Sequence, residues 1–262
     1  MYHLIGLLIF SLLFISLFYK NIEKNNLLLF IVFSFLFILA SVRYNIGTDY
    51  IYYSVFFQSV KPLTLHPNYT FPSDYMEPLF MHIVALFKYI ISNPIFYFSF
   101  WSFITLLFFW LGIKKESSNY ILSVFILYCI FYHHYLFNTI RQGVVMGIFI
   151  YSVRDILDRN FFKILFISIV SSFIHSSGLF ILLAYIISFV KIKSRLTLLG
   201  LLFASIFVWK SGLGEQFFTI VAIKFQNVIP NLYMYVKVFF YDHSITQISQ
   251  RLLLLIPLIY YY

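Results

Sequence analysis

Apolar runs dominate the chain, and short polar clusters separate them. Residues 3–19, 26–42, 95–113, 119–137, 140–153, 161–175, 178–190 and 196–209 are each predominantly apolar, and a ninth run begins near 251. Runs of about 14–20 residues punctuated in this way predict helices of near-membrane length, because a helix needs about 20 apolar residues to cross a bilayer. A membrane β-barrel would alternate polar and apolar residues in segments of about ten, and that alternation is absent. The predicted fold is all-α: a multispan helical membrane protein with about nine transmembrane helices, in one domain over residues 1–262. Leu4 to Phe18 has no basic leader and no small-residue cleavage site, so it reads as a retained helix. Leu252 to Tyr262 is too short to span alone. Either the last helix begins earlier, near Ile245, or the C-terminus is truncated.

One apolar stretch breaks the pattern. Leu79 to Ile91 is bounded by Pro78 and by Asn93 and Pro94, and it carries His82 and Lys88. Charge decides its place. If it does not cross, the loops at 20–25, 114–118, 154–163 and 191–195 share one side. They hold Lys20, Lys24, Lys114, Lys115, Arg154, Arg159, Lys163, Lys191, Lys193 and Arg195 out of 18 basic residues. The positive-inside rule makes that side cytoplasmic; a crossing at 79–91 would split the bias. The segment therefore reads as a short helix on the outer surface. The connection 43–94, the turns at 138–143 and 175–177 and the segment 210–250 then face outward.

Composition agrees and removes other classes. The chain is 62% hydrophobic and 10% charged, against about 25% charged in soluble domains. Its net charge of +9 sits in loops and suggests contact with anionic lipid of the bilayer, with no nucleic acid as partner. The lone Cys129 allows no internal disulfide and reads as packing. Asp155 and Asp158, among basic residues on the inner side, read as loop solvation. There is no HExxH, no GxGxxG and no P-loop, so no metal and no cofactor is called for.

Four polar clusters fall on the outer face. Arg43, Asn45, Gly47, Thr48 and Asp49 end the second apolar run; they are either an interface anchor with a turn, or an Arg and an Asp flanking a backbone that Gly47 opens to a ligand. Asp74, Tyr75, Met76, Glu77 and Pro78 precede the short helix; Glu77 is either an acid favoured at a helix N-terminus or a functional carboxylate. Asn138, Thr139, Ile140, Arg141, Gln142 and Gly143 interrupt two apolar runs. A snorkelling anchor needs no amide on either side, whereas a guanidinium fork suits phosphate oxygens. Ser171 to Gly178 holds His175, which is either a helix-end histidine bonded to serines or a ligand or base.

Together these clusters resemble a known family. Arg43 to Asp49 resembles an R-x-N-x-G-x-D element, Glu77–Pro78 an acidic step, Asn138 to Gly143 an N-x-x-R-Q element, and Phe173 to Gly178 an F-H-x-S element with Ile174 between Phe and His. They are similar, over about residues 26–190, to the EpsG family of exopolysaccharide polymerases, the Wzy-type enzymes of capsule, exopolysaccharide and O-antigen assembly. The resemblance implies a GT-C-like, metal-independent glycosyltransferase of the bacterial cytoplasmic membrane. It would join repeat units on the outer face, with an undecaprenyl-diphosphate-linked glycan donor and acceptor, and with a chain-length regulator as a candidate protein partner. On that reading Arg141 and Arg43 bind diphosphate, and Asp49, Glu77 or His175 is the catalytic base, supported by Asn45, Gly47, Asn138 and Gln142. Two rivals remain: a flippase for lipid-linked oligosaccharide, which would favour inverted repeats and midplane charges, and a membrane O-acyltransferase with His175 as base.

Overall fold

A computed structural model describes residues 6–12, 23–63, 76–190, 194–225 and 233. Among them every regular element is helical and no strand occurs. In chain order the elements are α1 (Asn26–Ser41), α2 (Tyr50–Ser59), α3 (Pro78–Ile90), α4 (Pro94–Glu116) and α5 (Tyr120–Ile126), the last continued by π-helical turns at Leu127–Tyr132 and His134–Asn138. Then come α6 (Ile140–Leu157), α7 (Phe161–Ser172), a 3₁₀ turn (Ser176–Gly178), α8 (Leu179–Ile187), α9 (Arg195–Lys210) and α10 (Leu213–Phe225). The apolar runs from 26 to 209 thus coincide with helices. One of these, Pro94–Glu116, is long and apolar enough to cross a membrane by length and composition. The run from 251, most of the run 3–19, and Asp74 lie outside the described residues. The chain forms two compact units, Met1–Phe189 and Val190–Tyr262.

Local chemistry sets the helix ends. The side chains of Asn25, Asn93 and Asn119 each accept a backbone N–H of the first turn of α1, α4 and α5, the usual N-cap geometry. Pro94 and Pro78 occupy first-turn positions, where a missing N–H costs nothing. Lys114 and Lys115 sit in the last turn of α4, where the helix dipole favours cations.

In the first unit α4 and α6 pack together most extensively. Glycine permits the approach: a Cβ on Gly112 would lie 2.7 Å from Ile150 Cγ2, and one on Gly147 would lie 3.0 Å from the Thr105 carbonyl oxygen. Small residues let apolar helices approach backbone to backbone. One core, with Phe57, Phe80, Trp101 and Val144, joins α2, α3, the start of α4 and α6; a second, with Leu36, Phe109 and Tyr132, joins α1, the rest of α4 and α5.

Helix α2 lies within the connection read from sequence as an outer loop. It pairs with α3 because Lys88 Nζ donates to the Phe57 and Gln58 carbonyls, at 2.7 and 2.6 Å, and Leu63 N–H donates to the Ala85 carbonyl at 3.0 Å. The charge that made 79–91 look unlike a span is therefore a cap for the last carbonyls of α2. Asp155 also departs from expectation. It belongs to α6, is 5% exposed, and accepts from Lys163 at 2.8 Å and Lys115 at 3.3 Å. Its helix position points it at the end of α4, so the ion pairs replace the solvation expected of it. Cys129, expected in packing, is exposed. In the second unit α9 and α10 meet through a turn at Ser211 and Gly212, whose φ is +73°.

Candidate active site

Two sub-assemblies meet around the break between the π-helical turns and α6. The first docks the Arg43–Asp49 loop. The last carbonyls of a helix have no partner within it, and that of Leu136 accepts from Arg43 Nη1. The Arg43 guanidinium lies 4.3 Å from the Phe98 ring centroid and 5.5 Å from that of Phe137. Arg43 is 3% exposed, and its Nε and Nη2 have no hydrogen-bond partner among the described residues. Burial lowers its pKa to about 10, against the partial compensation of nearby tyrosines, so it remains cationic at neutral pH.

Beyond Arg43 the loop turns over the helix end. Asn45 (φ 51°) and Gly47 (φ 99°) adopt left-handed backbone conformations. Gly47 passes directly above the Phe137 carbonyl: a Cβ there would be 2.2 Å from that oxygen and 2.8 Å from Asn138 Oδ1. Asn138 Oδ1 in turn accepts from Thr48 N–H at 2.8 Å and Thr48 Oγ1 at 3.3 Å. Asn138 is thus a clamp on the loop. Asp49 stands at the start of α2 without capping it, and accepts from Thr48 Oγ1 at 3.1 Å. No cation pairs with it among the described residues.

The second sub-assembly joins Glu77, Arg141 and the His175 turn. Glu77 stands at the N-cap position of α3 but does not cap it. Its Oε2 accepts from Arg141 Nη1 and its Oε1 from Ser176 N–H at 3.0 Å. The first N–H groups of α3 find another acceptor: Leu79 and Phe80 donate to the Phe173 carbonyl at 3.0 and 3.3 Å. That pair of bonds fixes the turn 173–178 against the start of α3. Arg141 also reaches Tyr53, with Nε 3.5 Å from the phenol oxygen, and its guanidinium lies 5.5 Å from the centroid of buried Phe80. The Arg141 and Glu77 side chains are 16% and 19% exposed, so the pair is shielded yet reachable.

His175 has an extended backbone, and its Nδ1 accepts from Ser177 N–H at 3.1 Å. A backbone N–H only donates, so Nδ1 carries no proton, and the neutral ring holds its proton on Nε2. Ser177 Oγ lies 2.8 Å from the same nitrogen. Gln142, in the first turn of α6, is half-buried, and its side chain has no hydrogen-bond partner among the described residues. Tyr53, Phe80 and the Ser176 amide were not singled out in the sequence. Tyr53 lies one turn after Asp49 on α2, a relation visible only once 50–59 is known to be helical.

The described residues thus form a helical, strongly apolar protein with a shielded arginine–carboxylate pair beside a histidine turn. The EpsG family model matches residues 26–262, nearly the whole sequence, and the chain belongs to that family, one of membrane exopolysaccharide and O-antigen polymerases. No curated protein and no solved structure matches it significantly.

Proposed function

We propose that the chain is a multispan glycosyltransferase with a GT-C-like arrangement. It joins undecaprenyl-diphosphate-linked repeat units at the outer face of the bacterial cytoplasmic membrane, with a chain-length regulator as its protein partner. The observation that carries this reading is the placement of Arg141, partly exposed and backed by Glu77 and Tyr53, in a member of a polymerase family. The membrane setting is supported by large apolar side chains that lie on the outside of the helices, among them Phe30, Phe162, Phe166 and Phe180, each at least 60% exposed. Water would penalise such a surface and lipid would not.

In the reaction the acceptor hydroxyl oxygen bonds to the anomeric carbon of the donor. The bond from that carbon to the diphosphate oxygen breaks, and its electron pair leaves on the diphosphate. Arg141 binds that growing negative charge through its planar fork. A carboxylate, Asp49 or Glu77, takes the hydroxyl proton; His175, with Nδ1 engaged by Ser177 N–H and its proton on Nε2, is placed to donate to a substrate oxygen instead of serving as the base. Arg43, enclosed by Phe98 and Phe137, acts on the diphosphate site indirectly, by holding through the Leu136 carbonyl the helix end that carries Asn138.

The test is in vitro polymerisation with lipid-linked repeat unit. Arg141→Lys keeps the charge and removes the fork, so turnover should fall by about 100-fold. Near wild-type turnover in a normally inserted Arg141→Lys protein would overturn the role given to Arg141.

A further inference from the structure

The Arg141–Glu77 pair poses a chemical conflict. A carboxylate bound to a guanidinium has its lone pairs engaged and is a poor base, while the arginine it holds is not free for a phosphate. Both side chains are under a fifth exposed, so solvent screens the pair only partly. The two Glu77 oxygens have different partners: Oε2 is on Arg141, whereas Oε1 is held by the Ser176 amide at 3.0 Å. The second bond does not depend on Arg141. A Glu77 that lost Arg141 would stay anchored at the turn beside His175.

We propose that Glu77 is a displaceable counterion: the donor diphosphate takes Arg141, and the released carboxylate, still held by Ser176 N–H, becomes the base for the acceptor hydroxyl. This deepens the function proposed above and rests on it. A diphosphate carries more charge than a carboxylate and matches the guanidinium fork with several oxygens, so it competes favourably. No covalent bond changes in the exchange; one anion replaces another on Arg141. In the transfer that follows, the acceptor proton passes to Glu77 and the electron pair of the broken anomeric bond leaves on the diphosphate. The acceptor is activated only after the donor has bound. An acceptor hydroxyl therefore meets no active base in the absence of donor, whichever substrate binds first.

Binding is measured on the detergent-solubilised full chain with farnesyl diphosphate as the probe and farnesol as its uncharged control. Glu77→Gln removes the competing anion. It should tighten farnesyl diphosphate roughly five- to tenfold, the scale of a partly shielded ion pair, leave farnesol unchanged and abolish polymerisation. Unchanged or weaker binding of farnesyl diphosphate, or equal tightening of farnesol, overturns the proposal. Arg141→Gln should lose farnesyl diphosphate binding. If it does not, the diphosphate site itself is refuted, whereas loss in Arg141→Gln without tightening in Glu77→Gln refutes the counterion role alone.

Discussion

Gly47→Ala tests the docking of the Arg43–Asp49 loop on the end of the π-helical turns. Two costs add. Alanine at a φ of 99° leaves the ordinary allowed regions, at about 1–2 kcal/mol. Its Cβ would also lie 2.2 Å from the Phe137 carbonyl oxygen, more than an ångström inside the 3.4 Å at which ordinary contact begins. Both sides of that contact are backbone, so no side chain can swing aside. The loop must lift, and the 2.8 Å bond from Thr48 N–H to Asn138 Oδ1 breaks with it, for about 1 kcal/mol more. The expected loss is about 2–4 kcal/mol. It should appear as a fall of several degrees in the melting temperature of the detergent-solubilised protein, together with loss of polymerisation. Gly200→Ala is the control. Nothing lies within 4 Å of a Cβ at that position, on the helix Arg195–Lys210, and alanine is the better helix former by about 1 kcal/mol. A Gly47→Ala protein with unchanged melting temperature and activity would refute the docking argument.

Two further predictions concern stability away from Arg141. Burial raises the Asp155 pKa, but hydrogen bonds from Lys163 and Lys115 outweigh it and hold the carboxyl below the usual carboxylate value. The folded value lies below the unfolded one. The stabilisation is thus fully present above the ordinary carboxylate pKa and is lost as pH falls through the folded value. The wild-type melting temperature should drop more steeply than that of Asp155→Asn between about pH 5 and pH 3, and at neutral pH the variant should be less stable by about 1–2 kcal/mol, because both lysines keep partial access to water; parallel pH profiles would refute this. Lys88→Met removes both donors to the end of α2 and should cost about 1–3 kcal/mol, read as faster proteolytic nicking near Val60–Leu63 with the remainder of the first unit intact. Unchanged nicking would show that Lys88 does not hold α2 and α3 together.

The helices were largely legible in the sequence because apolar runs bounded by Asn and Pro caps are local signals. Asn93–Pro94 and Pro78 marked their helix starts without reference to any other part of the chain. The candidate residues were legible for the opposite reason: Arg141, Glu77 and His175 interrupt strongly apolar surroundings. Their partnerships were not legible. Arg43 was given the same diphosphate-binding role as Arg141 from the sequence. Only packing separates them, enclosing Arg43 between Phe98 and Phe137 and leaving Arg141 partly open beside Glu77. Asp155 was misread because its lysine partners come from two different helices.

The sequence by itself determined strongly apolar helices, which the described residues show, and a short set of polar positions, because hydrophobicity and caps act over a few neighbouring residues. The tertiary structure alone decided which of those positions touch. It brought Glu77 to Arg141 across 64 residues of chain, and Thr48 to Asn138 across 90. Contacts at such separations depend on how whole helices pack, which glycines at 112 and 147 permit and no local pattern encodes.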